Sequence, residues 1–294
     1  MTVGKPIRSR EKTAGRDLNY PPLPEPLRVP VYDNHTHLEI EDGETGLDVR
    51  EQLDRAARVG VRGVVQVGTD LATSRWSAAL AASDPRVLAA VALHPNEAPR
   101  LAERGVLDEH ISGIDELAAQ PRVRAVGETG LDYFRTGEEG RGSQLYSFEQ
   151  HIEIAQRHGL ALQIHDRDAH EDVVATLLRV GAPERTVFHC YSGDEHLAAI
   201  CAEHGWYLSF AGTVTFKTAA HLRASLRVVP RSLVLVETDA PFLTPMPHRG
   251  RPNSAYLIPH TVRQMALVLD ADLDTLCEQI AHTTEQVYGR WDNE

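Results

Sequence analysis

Short apolar or β-branched runs alternate with longer segments of helical period from Val31 onward. Such a short run predicts a buried strand, and apolar residues spaced three or four positions apart predict an amphipathic helix. The runs predict eight strands, at residues 31–35, 63–67, 87–93, 123–128, 161–165, 186–190, 206–210 and 233–239. The intervals contain helical stretches, among them 49–59, 148–158, 173–180 and 197–204.

This count of strands predicts the fold class. Eight β/α units in about 260 residues match the size of a (β/α)8 TIM barrel, whereas an open doubly wound sheet usually has about five or six strands. The sequence has no internal repeat and no shift of composition that would mark a second domain. We therefore predict one α/β domain over residues 31–294.

The first 30 residues have a different composition. They are polar and basic, and five prolines follow between positions 21 and 30. Because such a segment buries too little apolar surface to form a domain, residues 1–30 are predicted to be an N-terminal arm, extended or flexible.

Charge and cysteine content narrow the function classes. The formal net charge of −12 argues against binding nucleic acid through a broad basic face. No apolar run approaches the ~18 to 20 residues of a membrane span, and the N-terminus lacks the apolar segment of a secretory signal. Cys190, Cys201 and Cys277 form no CxxC pair, which fits a reducing compartment. We predict a cytoplasmic protein that associates with no membrane and needs no obligate protein partner.

Residues with metal-ligand chemistry stand at the ends of the predicted strands. They are His35 and His37 on the first strand, Glu128 on the fourth, His165 on the fifth, His189 on the sixth and Asp239 on the eighth. Taken singly, each fits a hydrogen-bonded core histidine or an ordinary carboxylate equally well. In a (β/α)8 barrel, however, all strands end on the face that holds the active site. Their occurrence at five strand ends therefore predicts one common site.

The ligand types predict divalent metal ions. Imidazole with carboxylate suits Zn²⁺ or Mn²⁺, and Mg²⁺ where oxygen ligands dominate. Six ligands exceed the needs of one open catalytic ion and predict two. The predicted partition gives His35, His37 and Asp239 to one ion and His165 and His189 to the other, with Glu128 as the bridge. Two ions ~3.5 to 4 Å apart can activate water for attack on phosphorus. The predicted chemistry is hydrolysis, with Glu128 bridging and Asp239 orienting or deprotonating the water.

Several ordered motifs carry a family resemblance. They are Asp33-Asn34-His35-Thr36-His37-Leu38, Leu93-His94-Pro95, Gly127-Glu128-Thr129-Gly130-Leu131-Asp132-Tyr133, Ile164-His165-Asp166-Arg167, His189-Cys190-Tyr191-Ser192-Gly193, Glu237-Thr238-Asp239-Ala240-Pro241 and His248-Arg249-Gly250. In this order the sequence resembles the TatD family of metal-dependent deoxyribonucleases, of the amidohydrolase-like superfamily, from Val31 to about Tyr288. Departures are Tyr191, where Phe is usual, and Arg251-Pro252, where a Lys-Arg pair is common.

The resemblance implies a TIM barrel of the metal-dependent hydrolase type and a two-metal site at the six positions above. It also implies hydrolysis of DNA phosphodiester bonds, as a 3′–5′ exodeoxyribonuclease acting on single strands or 3′ ends. The N-terminal arm lies outside the resemblance.

An acidic protein must bind DNA through a few local cations. Lys217, one of only three lysines, follows the seventh predicted strand and is a candidate phosphate contact. Arg135, Arg167 and Arg249 on neighbouring loops are candidates for bidentate contacts. Each could equally be a solvated surface residue.

Other polar residues near the ligands are predicted to support them. Glu237 shares strand parity with Asp239 and is expected to orient a ligand or to support Lys217. Asp132, close to Glu128, is given a similar role, and His94 is expected to line the pocket or to be structural.

Two other functions remain open. The first is a related barrel hydrolase that acts on a small phosphoester or an amide. Many relatives in the superfamily bridge their metals with a carbamylated lysine from the fourth strand, where this chain has Glu128 and no lysine. The second is a non-catalytic binding protein on the same barrel. Loss of ligands would mark it, and none of the six is missing.

Overall fold

The computed structural model describes residues 4–6, 8–10 and 15–291. Its strands are β1 (Arg8–Ser9), β2 (Val31–Thr36), β3 (Ile40–Glu41), β4 (Val61–Val67), β5 (Val87–Val91), β6 (Val123–Asp132), β7 (Ala161–Arg167), β8 (Thr186–Phe188), β9 (Tyr207–Phe210) and β10 (Val234–Val236). Its α-helices are α1 (Val49–Arg58), α2 (Leu71–Ser83), α3 (Ala98–Glu103), α4 (Leu107–Ala118), α5 (Glu138–His158), α6 (His170–Val180), α7 (Glu195–Glu203), α8 (Ala220–Val228), α9 (Ile258–Leu269) and α10 (Leu273–Tyr288).

Eight parallel strands form the central sheet, in the order β10-β9-β8-β7-β6-β5-β4-β2. A parallel bridge between Thr36 and Ala240 joins the two ends of this order, so the sheet is nearly closed. Apolar runs such as β5 are buried at every position, as expected of parallel strands covered on both faces. The predicted (β/α)8 TIM barrel is confirmed.

Sequence-encoded caps set several helix ends. The Asp48 side chain accepts a hydrogen bond from the backbone N–H of Glu51 at the start of α1, and Asp70 forms a capping box with Thr73 at the start of α2. Helix α5 ends at Gly159, which is left-handed with a φ of 61°. These ends fix where the chain leaves each helix for the next strand.

Two strands differ from their predicted bounds in a way that matters for the site. Strand β6 continues beyond Glu128 to Asp132, because its pairing with β7 continues as far as Asp132 and Arg167. Strand β10 ends at Val236, where its pairing with β9 ends. The strand predicted for residues 233–239 was therefore too long, and strand parity does not determine the direction of Glu237 or Asp239.

Residues 15–30 run along the outside of the barrel without helix or strand. Leu27 is buried there, and its backbone N–H donates to the carbonyl of Val59 at 3.0 Å. Further towards the N-terminus, β1 pairs in parallel with β3, outside the barrel sheet. No helix within the described residues has the length and apolar character needed to cross a bilayer.

Candidate active site and metal centre

The structure brings all six predicted metal ligands together at the carboxyl ends of the barrel strands. Four of the side chains are buried and the other two, His165 and Asp239, are partly exposed. The centre of the group is the Glu128 carboxylate, which extends from the middle of β6.

Imidazole nitrogens face both oxygens of Glu128. The Oε1 atom lies 3.8 Å from Nε2 of His37 and 3.8 Å from Nε2 of His94. The Oε2 atom lies 2.7 Å from Nε2 of His189, 3.3 Å from Nδ1 of His165 and 3.9 Å from Nε2 of His35. A carboxylate with separate imidazole sets around its two oxygens has the arrangement needed to bridge two cations.

The chain reaches the cluster from β10 through a left-handed residue. Asp239 has a φ of 51°, and its backbone N–H donates to the His35 carbonyl at 3.0 Å. This turn places its Oδ1 atom 3.5 Å from Nε2 of His37 and 3.9 Å from Nε2 of His35. The Asp239 carboxylate, 15% exposed, is thus on the solvent side of the two histidines.

Three sets of ligand atoms, each within 4.8 Å of one another, could hold an ion. They are His35 with His189 and Asp239, His35 with His37 and Glu128, and His94 with Glu128 and His165. The set of His35, His37 and Glu128 agrees with the predicted partition. The set that joins His35 to His189 does not, because the two rings stack with centroids 3.9 Å apart. His94 was expected to line the pocket or to be structural, and not to be a ligand. Its position directly after the apolar run that forms β5 was the signal for a ligand role.

Backbone and side-chain acceptors fix the orientation of three imidazoles through their Nδ1 atoms. The acceptors are the Gln163 side chain for His35 at 3.1 Å, the Val67 carbonyl for His37 at 3.0 Å and the Glu237 side chain for His189 at 3.2 Å. With the proton on Nδ1, each Nε2 lone pair points into the cluster. Nε2 of His35 is buried and has no hydrogen-bond partner among the described residues. A neutral imidazole nitrogen facing two carboxylates fits a bound cation.

The pKa shifts in the metal-free cluster also favour bound cations. Burial alone would raise the pKa of Glu128, but the surrounding imidazoles, His94 and His189 foremost, hold it well below its usual range. Burial opposes protonation of His37, yet Asp239, Glu39 and Glu128 raise its pKa to about 9. Without metal, protons therefore supply the positive charge that this cluster needs, and divalent ions would displace them.

The profile of the TatD related DNase family matches residues 32–289. This chain belongs to the TatD family. The uncharacterized metal-dependent hydrolase TatD of Mycobacterium tuberculosis is 41% identical over 263 residues, which cover 88% of this chain and 98% of that protein. The TatD homologue YjjV of Escherichia coli has a crystal structure that matches with a TM-score of 0.79 at 23% identity, over 88% of this chain and 98% of that one. The phosphotriesterase homology protein of Escherichia coli, solved with phosphate in its active site, matches with a TM-score of 0.65 at 15% identity, over 88% and 99%. The protein is a metal-dependent hydrolase.

Two acidic residues contact histidines of the cluster in this TatD-family hydrolase. The Oε1 atom of buried Glu237 lies next to Nδ1 of His189 and also accepts a hydrogen bond from the backbone N–H of Cys190 at 2.9 Å. Among the described residues, no contact joins Glu237 to Lys217. The Oδ2 atom of Asp132 lies 3.3 Å from Nε2 of His165 and accepts from the Asn96 amide at 3.0 Å. Each acid thus contacts one imidazole of the cluster, and its role in orienting a metal ligand stays a prediction.

Two cavities, of about 570 and 760 Å³, open from the cluster and share His37, His94 and Glu128 in their walls. Arg135 lines both cavities and Arg167 lines the first. Lys217 is exposed and outside both linings, as is Arg249, whose guanidinium carbon lies 4.4 Å from the ring centroid of Phe216. Of the four cationic residues predicted to contact the substrate, Arg135 and Arg167 therefore lie at the cleft itself.

Proposed function

We propose that this TatD-family hydrolase cleaves phosphodiester bonds in DNA, releasing nucleotides from the 3′ end of single strands or frayed duplex ends with two divalent ions. The observation that carries the proposal is the position of Glu128 between two groups of imidazoles. A carboxylate with imidazoles beside both of its oxygens is suited to bridging a pair of ions and is not needed by a single open catalytic ion.

The ligand set fits Zn²⁺ or Mn²⁺, and Mg²⁺ with added water ligands. When bound, two such ions lower the pKa of water and stabilise the charges of attacking and leaving oxygens at phosphorus. The residues of the chain itself hold the metal-ligating imidazoles and orient the attacking water. Glu237 and Gln163 fix imidazole tautomers, and Asp239, on the solvent side of the cluster, is placed to orient the attacking water or take its proton.

The cations of the cleft support a phosphate-containing substrate. Arg135 and Arg167 lie on its walls, and no side-chain hydrogen bond occupies the Arg135 guanidinium among the described residues. The phosphate held by the related phosphotriesterase homology protein also favours phosphorus as the reacting centre. With a net charge of −12, the protein must bind substrate through these few local groups, so the contact covers few nucleotides.

The test uses 5′-end-labelled single-stranded DNA and protein stripped of metal, then supplied with Mg²⁺, Mn²⁺ or Zn²⁺. We expect a ladder that shortens stepwise from the 3′ end only when metal is present. A Glu128→Ala, His165→Ala double variant abolishes it, whereas a matched Glu203→Ala, His196→Ala variant on the exposed face of α7 does not. Intact DNA in the presence of bound metal would refute the proposal and point to small phosphoesters or amides.

A further inference from the structure

The N-terminal arm reaches the cleft. Strand β1 lies beside β3, and Arg8 lines the cavity of about 760 Å³ together with His37, His94 and Glu128. The family profile begins at residue 32, so this wall residue comes from outside the matched region.

Ion pairs fix the arm at the mouth of the barrel. The Arg16 guanidinium binds the buried Asp42 carboxylate, with Nη1 2.7 Å from Oδ1. Arg10 donates to the carbonyl of Pro241, two residues after Asp239, at 2.7 Å. The segment that carries Arg8 is therefore tied both to the loop after β3 and to the loop that carries a predicted metal ligand.

Two glycines of the barrel make room for the arm. Gly43 has a φ of 84°, and a Cβ atom there would lie 2.7 Å from Cε2 of Tyr20. Gly60 has a φ of 87°, and its Cβ atom would lie 2.8 Å from the carbonyl oxygen of Leu27. Side chains at either position would collide with the arm, so the surface of the barrel is fitted to it.

The Arg8 guanidinium is anchored on one nitrogen only. Its Nη1 atom donates to the Thr69 hydroxyl at 2.8 Å and to Oε1 of buried Glu39 at 3.2 Å. The same Glu39 oxygen lies 4.0 Å from Nδ1 of His37, so Arg8 is one side chain away from the cluster. Its Nε and Nη2 atoms have no partner among the described residues, and the side chain is 38% exposed.

We propose that Arg8 is a specificity residue that binds the DNA phosphate next to the scissile one. This inference rests on the proposed function. A strand whose scissile phosphate lies at Glu128 must place its neighbouring phosphate in a cavity bordering the cluster, and two free guanidinium nitrogens suit a bidentate phosphate contact. Apart from Glu128, the acidic residues of this cavity are Glu97, Glu103 and Glu139 on the α3 and α5 side, where Glu97 is paired with Arg100 at 3.0 Å.

The experiment compares kcat/KM on the dinucleotide TpT, which has one phosphate, with kcat/KM on (dT)4, which has three. In Arg8→Gln the ratio of (dT)4 to TpT falls about tenfold, through KM, which is the size expected of one charge-assisted contact. Arg28→Gln is the matched control on the same arm, because Arg28 is exposed, pairs with Asp274 and lines neither cavity. It leaves the ratio unchanged.

A second variant separates phosphate binding from mere neutralisation of Glu39. If Arg8 only compensates this buried carboxylate, the Arg8→Gln, Glu39→Gln double variant restores the ratio and the proposal fails. If Arg8 binds phosphate, the ratio stays low. An unchanged ratio in Arg8→Gln also overturns the proposal.

The outcome for Arg8 is separable from that for the proposed function. A wild-type protein that cleaves neither oligonucleotide refutes DNA hydrolysis. Fluorescence anisotropy with fluorescein-labelled (dT)4 and metal-free protein then still tests Arg8. We expect about tenfold weaker binding in Arg8→Gln, and equal binding would contradict the inference.

Discussion

Replacing Glu128 by glutamine perturbs the centre of the cluster with little change of shape. The amide retains one oxygen and places an NH2 group where the other oxygen was. That NH2 group cannot bind a cation, and it directs its hydrogens at the imidazoles on its side. Whichever oxygen is retained, one of the two imidazole sets loses its bridging carboxylate.

The contacts of Glu128 indicate how much metal affinity the Glu128→Gln variant loses. Five histidine nitrogens lie between 2.7 and 3.9 Å from the two Glu128 oxygens, whereas Asp239 contacts one nitrogen of each set, on His37 and His35. Loss of a group that merely orients a metal ligand costs about 10- to 100-fold in affinity. Loss of a bridging ligand therefore costs at least ~100-fold for one ion, or ~2.7 kcal/mol.

The assay is equilibrium dialysis against Mn²⁺, with bound metal counted by elemental analysis. We expect two ions per chain in the wild type and one or fewer in Glu128→Gln at metal concentrations that just saturate the wild type. Glu203→Gln, on an exposed position of α7, keeps both ions. Two ions bound by Glu128→Gln with unchanged affinity would refute the bridging role.

Four further predictions follow from the same structure. Asp239→Asn loaded with metal loses about 10²- to 10⁴-fold in kcat, the range of a general base, and full turnover in steady-state assays would exclude that role. Chelation lowers the free energy of unfolding by ~2.7 kcal/mol for each ion, and so by ~5.4 kcal/mol for two, relative to metal at 100 times its Kd; identical calorimetric transitions would contradict metal binding. Burial lowers the pKa of His151 to about 4, so its stabilising contribution is complete above pH 6.5 and is lost as the pH falls towards 4. In urea titrations the difference in free energy of unfolding between wild type and His151→Gln therefore shrinks by ~3 kcal/mol from pH 7 to 4. A difference that stays constant with pH would contradict the lowered pKa of His151. Single-stranded DNA binding has a log K against log salt slope of about −2, from about three phosphate contacts, whereas a slope near −5 would indicate an extended basic surface.

The sequence predicted those features that depend on local pattern. Apolar runs closed by a ligand residue, such as the run before His165, were visible because a buried parallel strand needs a continuous apolar sequence and its end carries the chemistry. The family resemblance added the DNA substrate, which spacing alone does not name.

Features that depend on distant partners were not predictable in the same way. The approach of Asp239 uses a left-handed residue after a strand that ends at Val236, and its position is set by the bond to the His35 carbonyl across the barrel closure. The arm shows no periodicity, and what places Arg8 is its contact with buried Glu39, 31 positions further along the chain. Neither arrangement leaves a local sequence signal.

The most direct test of the two-ion centre is anomalous X-ray diffraction from crystals of the wild-type protein grown with Mn²⁺ or Zn²⁺. We expect two anomalous peaks ~3.5 to 4 Å apart, one beside each oxygen of Glu128. A single peak, or two peaks without Glu128 between them, would contradict the bridging carboxylate on which the proposed hydrolysis rests.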